Sequence, residues 1–261
     1  MPPAKRKARA YDPERTWRAL LAQTESVRGA AIGAAALPGA GALLGQLAGE
    51  VRALPEALAE PAPAPAAGRG AGRVELSAWA LAGDPVGAAG AGTGAGTDEG
   101  AGDPLAALDA AAELLAGCAA EALRPGRLVA RGGGVMGAAD FALTRLVRIV
   151  VLSDDLARTT GVAVPLDRQA LAAAVRVTAD ALAVKAPGGA VEVRIPPFAV
   201  VQCAEGPRHT RGTPPNVVET DPLTWLRLAS GRVSWAEARE AAQVSASGER
   251  ADLAELLPLR V

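Results

Sequence analysis

Aromatic residues are scarce in this 261-residue chain: four Trp, two Phe and one Tyr. An interior with so few large anchors must be built from Leu, Val and Ala, and each aromatic becomes informative about where packing is tightest. Histidine occurs once, at His209. A metal centre held by several imidazoles is excluded, and no Ser/His/Asp or Cys/His arrangement has support around that single position. The two cysteines, Cys118 and Cys203, lie in separate halves without a C-x-x-C spacing. That removes the zinc ribbon and the redox pair, and suits two buried thiols in a reducing, cytoplasmic setting. Charge of one sign is also lacking, since the formal net charge is -1. The one basic run, Lys5 to Arg9, has no interleaved aromatics, so nucleic acid is not an expected partner and residues 1–11 read as a frayed basic head.

A long greasy run is missing too. Residues 29–49 carry no charge, but Gly and Ala dominate and Pro38-Gly39 interrupts them. Two short helices joined by a turn fit better than a membrane span or a signal peptide, so no stable membrane insertion is expected.

What is present divides at about residue 160. Asp12-Pro13 reads as an N-cap with a first-turn proline, followed by Trp17, Leu20, Leu21, Thr24, Val27 and Ala31 at helical spacing. A second helix is predicted from about Ala42 to Glu60, ended by the prolines of 61–65. Residues 83–102 are rich in Gly and Ala and lack a closing Gly-Lys-Ser/Thr, which favours a surface loop over a phosphate cradle. Asp103-Pro104 opens a third helix, and a fourth runs from about Ala138 through Arg158, apolar from Leu146 to Leu152 except at Arg148. Four helices with short or floppy connections predict an up-and-down bundle over 12–160.

From 164 to 261 the texture is mixed. Asp167 caps a helix bearing Leu171, Val175, Thr178 and Leu182. Val191, Val193 and Ile195 alternate with Glu192 and Arg194, the two-residue period of a half-buried strand. Further strands are predicted over 198–203, 216–220 and 243–247. Between them lie a helix begun by Asp221-Pro222 and a capping box at Ser234 and Glu237. The fold class is therefore α+β, a four-helix bundle followed by a smaller α/β domain.

The stretches VEVRIPPFAVVQC (191–203), GPRHTRGTPPNVVETDPLTWLRLASG (206–231) and VSASGERADLAELLPL (244–259) resemble the sterol carrier domain of actinobacterial sterol carrier family proteins. The resemblance implies a curved sheet beneath helices, with an apolar tunnel between them for a lipid or other apolar small molecule. Ile195, Phe198, Val200, Trp225, Leu228 and Trp235 are the residues expected to line it, although aromatics at these spacings also serve as plain core. Arg208, His209 and Arg211 can hold an anionic head group, or equally form a surface loop paired with Glu205, Glu219 and Asp221.

LPGAGALLGQLAGE (37–50) and TRLVRIVVLSDDLAR (144–158) resemble the DinB-like bundle of mycothiol-dependent maleylpyruvate isomerases. That resemblance implies a divalent metal bound by a His on the second helix and by a Glu and a His four apart on the last. Here Gln46, Arg148 and Leu152 stand at those places. Glutamine is a poor zinc ligand, leucine is none, and arginine repels the ion. Asp154 and Asp155 beside them either do acid–base work or cap, solvate and pair with Arg148 or Arg158; Arg148 in an apolar helix centre needs a partner in any case. The resulting expectation is a non-enzymatic binder of an apolar ligand with a metal-free bundle and no cofactor. The alternatives are a metal- and thiol-dependent isomerase or transferase and a protein-interaction module, whose partner the sequence does not name.

Overall fold

A computed structural model describes residues 9–61, 72–83, 102–131, 134–206 and 214–261. The predicted Gly-rich loop, most of the basic head, the prolines after Pro61 and the loop of Arg208, His209 and Arg211 lie outside the described residues. Among the described residues no helix is long and apolar enough to cross a membrane.

The chain forms two compact units. The larger contains four long helices: α1 (Pro13–Ala34), α2 (Ala40–Ala59), α4 (Pro104–Gly117) and α6 (Ala138–Thr160). The Asp12 carboxylate accepts from the Arg15 amide at 2.8 Å, so the predicted cap opens α1 as the residue types require. Asp103 caps α4 through the Leu105 amide at 2.9 Å. Gly39, at φ 78°, supplies the left-handed turn before α2 that a side chain would resist. The helices close in the order α1–α6–α2–α4, with α1 and α2 meeting only briefly. This corrects the expected up-and-down bundle, in which consecutive helices lie side by side. Leu146, Val147, Ile149 and Val150 are wholly buried in α6, which touches both α1 and α2.

Two elements of this unit have no counterpart in the sequence reading. A four-residue helix, α5 (Ala119–Ala122), follows α4, and a hairpin of β1 (Leu128–Arg131) and β2 (Gly134–Gly137) precedes α6. Arg127 locks the hairpin's start by donating to the carbonyls of Leu58 and Glu60 at 2.8 and 3.0 Å.

The second unit holds β3 (Val191–Ile195), β4 (Ala199–Cys203), β5 (Val217–Thr220) and β6 (Val244–Ser247) in the order β4-β3-β5-β6. β3 and β5 run parallel, while β4 and β6 flank them antiparallel. Most of α7 (Arg168–Lys185) belongs here, with α8 (Pro222–Ala229) and α9 (Trp235–Glu240). The Asp167 carboxylate accepts from the Gln169 and Ala170 amides, and Ser234 and Glu237 form the expected capping box. Alternation sets the sheet's two faces. Val191, Val193, Ile195, Ala199, Val201, Cys203 and Val218 are buried, while Glu192, Arg194 and Glu219 gather on the opposite face in a surface ion-pair group.

The boundary expected at about residue 160 falls between Ala170 and Leu171, and one further stretch changes sides. Residues 76–83, placed by sequence within the bundle half, group instead with 171–261. They carry α3 (Leu76–Ala82), which the sequence reading missed. The end of the supposedly frayed head also has an anchor, since Arg9 Nε lies 2.9 Å from Asp180.

At the centre of the second unit the Trp225 indole donates to the Thr178 hydroxyl at 2.8 Å, tying α8 to α7. That hydroxyl in turn bonds the Ala174 carbonyl, so every partner is satisfied away from water. Thr178→Val leaves the indole donor stranded and is expected to destabilise the protein by about 1–3 kcal/mol, read from urea unfolding.

Candidate functional site

Two places test the expected chemistry. The first is the set of six residues assigned to an apolar tunnel. Ile195, on the buried face of β3, and Trp225 have no exposed surface, and Leu228 retains 1%. Phe198, in the β3–β4 turn, and Trp235, the first residue of α9, are half-buried. Val200 pairs opposite Arg194 and is 56% exposed, so it lies on the other side of the sheet from Ile195. The cause is the period-two register: Ala199 and Val201 point inward, which turns Val200 out. The six side chains therefore do not converge on one chamber. A chamber large enough for a lipid would leave its lining atoms free surface, and Ile195 and Trp225 have none.

What this interior offers chemically is narrow. Among the described residues of this unit the buried polar side chains are those of Thr178, which serves Trp225, Thr220, which donates to the Gln243 carbonyl, Asn216, which donates to the Ala190 carbonyl, Thr224, and the Cys203 thiol. Burial pushes the Cys203 thiol up to about 11. Burial likewise raises the Cys118 thiol to about 11, against a smaller opposing backbone hydrogen bond. Cys118 is only half-buried, which corrects the expectation of two buried thiols.

The second place is the set of bundle positions where the resemblance implies a metal. Leu152 is packed in the core and Gln46 is exposed. Arg148 has found its partner, and it is neither Asp154 nor Asp155. Glu50, one turn beyond Gln46 on α2, receives Arg148 Nε on one carboxylate oxygen at 2.5 Å and Arg145 Nη1 on the other at 2.7 Å. The Glu50 side chain is 12% exposed and that of Arg145 5%, so the pair is sequestered from water. Arg145 Nε donates to the Thr144 hydroxyl at 3.1 Å, and its guanidinium lies 4.8 Å from the centre of the Phe141 ring, which Arg131 faces at 4.9 Å. The reading of 37–50 contained Glu50 but gave it no role. The signal that could have found it was the need of a mid-helix arginine for an acid on a facing helix.

These residues do not fit a divalent cation. Two fixed positive charges share the carboxylate that would have to bind it. Among the described residues no group of three or more His, Cys, Asp or Glu is placed to hold a metal ion.

Comparison with known proteins bears on the second unit. Residues 167–259 match the family described as bacterial SCP ortholog. The match spans the helix, sheet and closing turn that the sequence resemblance had singled out, and it begins at the residue that caps α7. The SCP-ortholog region thus contains Ile195, Phe198, Trp225, Leu228 and Trp235, but not α3. Among solved structures, a mycothiol-dependent maleylpyruvate isomerase mutant is similar at 14% identity and a TM-score of 0.45, over 93% of this chain and 95% of that one. At that level it assigns no residue a role here. No curated protein matches the chain.

Two outcomes follow from this geometry. Glu50→Ala withdraws the carboxylate from a buried guanidinium and is expected to cost about 3 kcal/mol in chemical denaturation. Both thiols, raised well above 9, are expected to react with Ellman's reagent at pH 8 far more slowly in the folded protein than in denaturant. The sign on stability follows: the neutral thiols favour the fold below pH 9, and that contribution fades as the pH climbs toward 11.

Proposed function

We propose that the second unit binds an apolar small molecule, such as a lipid, and that the chain acts without catalysis. The observation that carries this reading is the match of residues 167–259 to the bacterial SCP ortholog family, on a unit whose interior is chemically apolar. A ligand entering between sheet and helices meets Val, Ile, Leu and Trp side chains, and the nearby Thr178 and Thr220 hydroxyls are already engaged. A charged ligand would find nothing there to replace its hydration, whereas a hydrocarbon chain is favoured by about 25 cal/mol for each Å² it buries.

Support for a metal-free bundle comes from the Arg145–Glu50–Arg148 group, in which both oxygens of the carboxylate are already engaged by guanidinium groups. Neither thiol is a poised nucleophile, because burial raises both to about 11.

The test uses the purified full chain. Organic extraction followed by mass spectrometry is expected to recover a co-purified lipid, and titration with a dansyl-labelled undecanoic acid is expected to saturate. Elemental analysis is expected to find no stoichiometric zinc. Bound zinc together with thiol-dependent turnover would instead establish the isomerase or transferase reading.

A further inference from the structure

The interior that should receive a ligand is closed at Ile195 and Trp225, and a piece of chain from outside the SCP-ortholog region groups with the same unit and bonds its C-terminal segment. Helix α3 is seven residues long, LSAWALA, and buries Trp79 to 2% exposure and Ala80 completely. It belongs to the second unit although it lies between two bundle helices in sequence. An isolated helix needs about 12–15 residues to persist in water, so α3 owes its form to what it packs against.

Its position is defined by backbone contacts. The Arg260 amide donates to the Ala80 carbonyl at 2.9 Å, while the adjacent Leu259 amide donates to the Ala229 carbonyl at 2.8 Å. Lys185 Nζ, at the end of α7, reaches the carbonyls of Leu256 and Pro258 at 2.8 and 3.3 Å. The C-terminal segment is thus stitched at once to α3, to the end of α8 and to the end of α7. Those two helix ends bound the layer that covers the sheet. The sequences flanking α3, APAPAAGRGA (62–71) and DPVGAAGAGTGAGTDEGA (84–101), contain no Leu, Ile, Phe or Trp. In 62–101 the large apolar side chains are therefore confined to 72–83.

We propose that α3 is a displaceable plug, whose Trp79 occupies apolar space in the second unit that a long-chain ligand takes when the helix withdraws. The proposal rests on the apolar-ligand reading and adds its regulation: docking of α3 and binding of ligand exclude each other. An element that is docked most of the time weakens the apparent affinity by the fraction of open molecules.

The experiment compares the full chain with Trp79→Ala and with a locked form. A Cβ placed on Gly83 falls 3.5 Å from the Arg260 Cβ. Disulfides span Cβ separations of about 3.5–4.5 Å, so Gly83→Cys with Arg260→Cys can pin α3 to the C-terminal segment. Gly83 has φ +75°, which a cysteine tolerates with strain, and oxidised and reduced states of one sample supply the folding control. Dansyl-labelled undecanoic acid is titrated into each. Trp79→Ala is expected to bind at least about tenfold more tightly than the parent. The oxidised double variant is expected to lose binding, and dithiothreitol is expected to restore it. Saturable binding with one Kd in the parent, in Trp79→Ala and in both redox states would overturn the plug while leaving the ligand reading intact. No saturable binding in any form, Trp79→Ala included, would remove the ligand reading and the plug together. Far-ultraviolet circular dichroism confirms the fold of each variant. Should Trp79→Ala fail to fold, the redox comparison alone decides, with equal binding before and after reduction as the overturning result.

Discussion

One face of the four-stranded sheet cannot be left to water. Val191, Val193, Ile195, Val201, Cys203 and Val218 present a continuous apolar surface, and nearly every other feature of the second unit serves to cover it. Helix α7 contributes Ala174, Val175, Thr178 and Leu182 to the buried layer, and α8 adds Trp225, Leu226 and Leu228. The bond from Trp225 to Thr178 lets a large indole enter this layer without stranding its donor. Asn216 performs a comparable service at the sheet's end, donating to the Ala190 carbonyl and accepting from the Arg250 amide. The same closure makes the interior selective, because the groups on offer are apolar or already engaged.

The bundle solves a different problem. A positive charge at Arg145 is carried deep into an apolar helix, and the structure answers with a carboxylate from the facing helix, a hydroxyl and an aromatic face. Such a group is a poor source of net stability, because removing charges from water offsets most of the attraction. Its effect is to bring α2 and α6 together at one point, with Glu50 gripped by two guanidinium groups.

Much of this was legible in the sequence because it is written in local chemistry. Asp12, Asp103, Asp167, Asp221 and Ser234 announce helix starts through the hydrogen bonds their side chains make to the first amides, and α1, α4, α7, α8 and α9 begin beside them. The alternation of 191–195 fixes which side of β3 is inside. The failures share a cause as well. Helix α3 is too short to show a period, and the β1–β2 hairpin consists of four-residue strands among glycines, so tertiary contact decides both. Val200 was misassigned because composition, unlike register, does not say which face a valine takes. Glu50 went unread because its meaning depends on Arg145 and Arg148, nearly a hundred positions away.

The grouping of residues 76–83 with 171–261 has a consequence for biosynthesis. A nascent chain leaves the ribosome from its N-terminus, and domains tend to form in that order. Trp79 therefore emerges long before residues 171–261, with which its helix groups, and with residues 84–170 still to be translated. Throughout that interval it is an indole without its native neighbours. The contacts of the second unit are complete only once Leu259 and Arg260 have been made and have met Ala229 and Ala80.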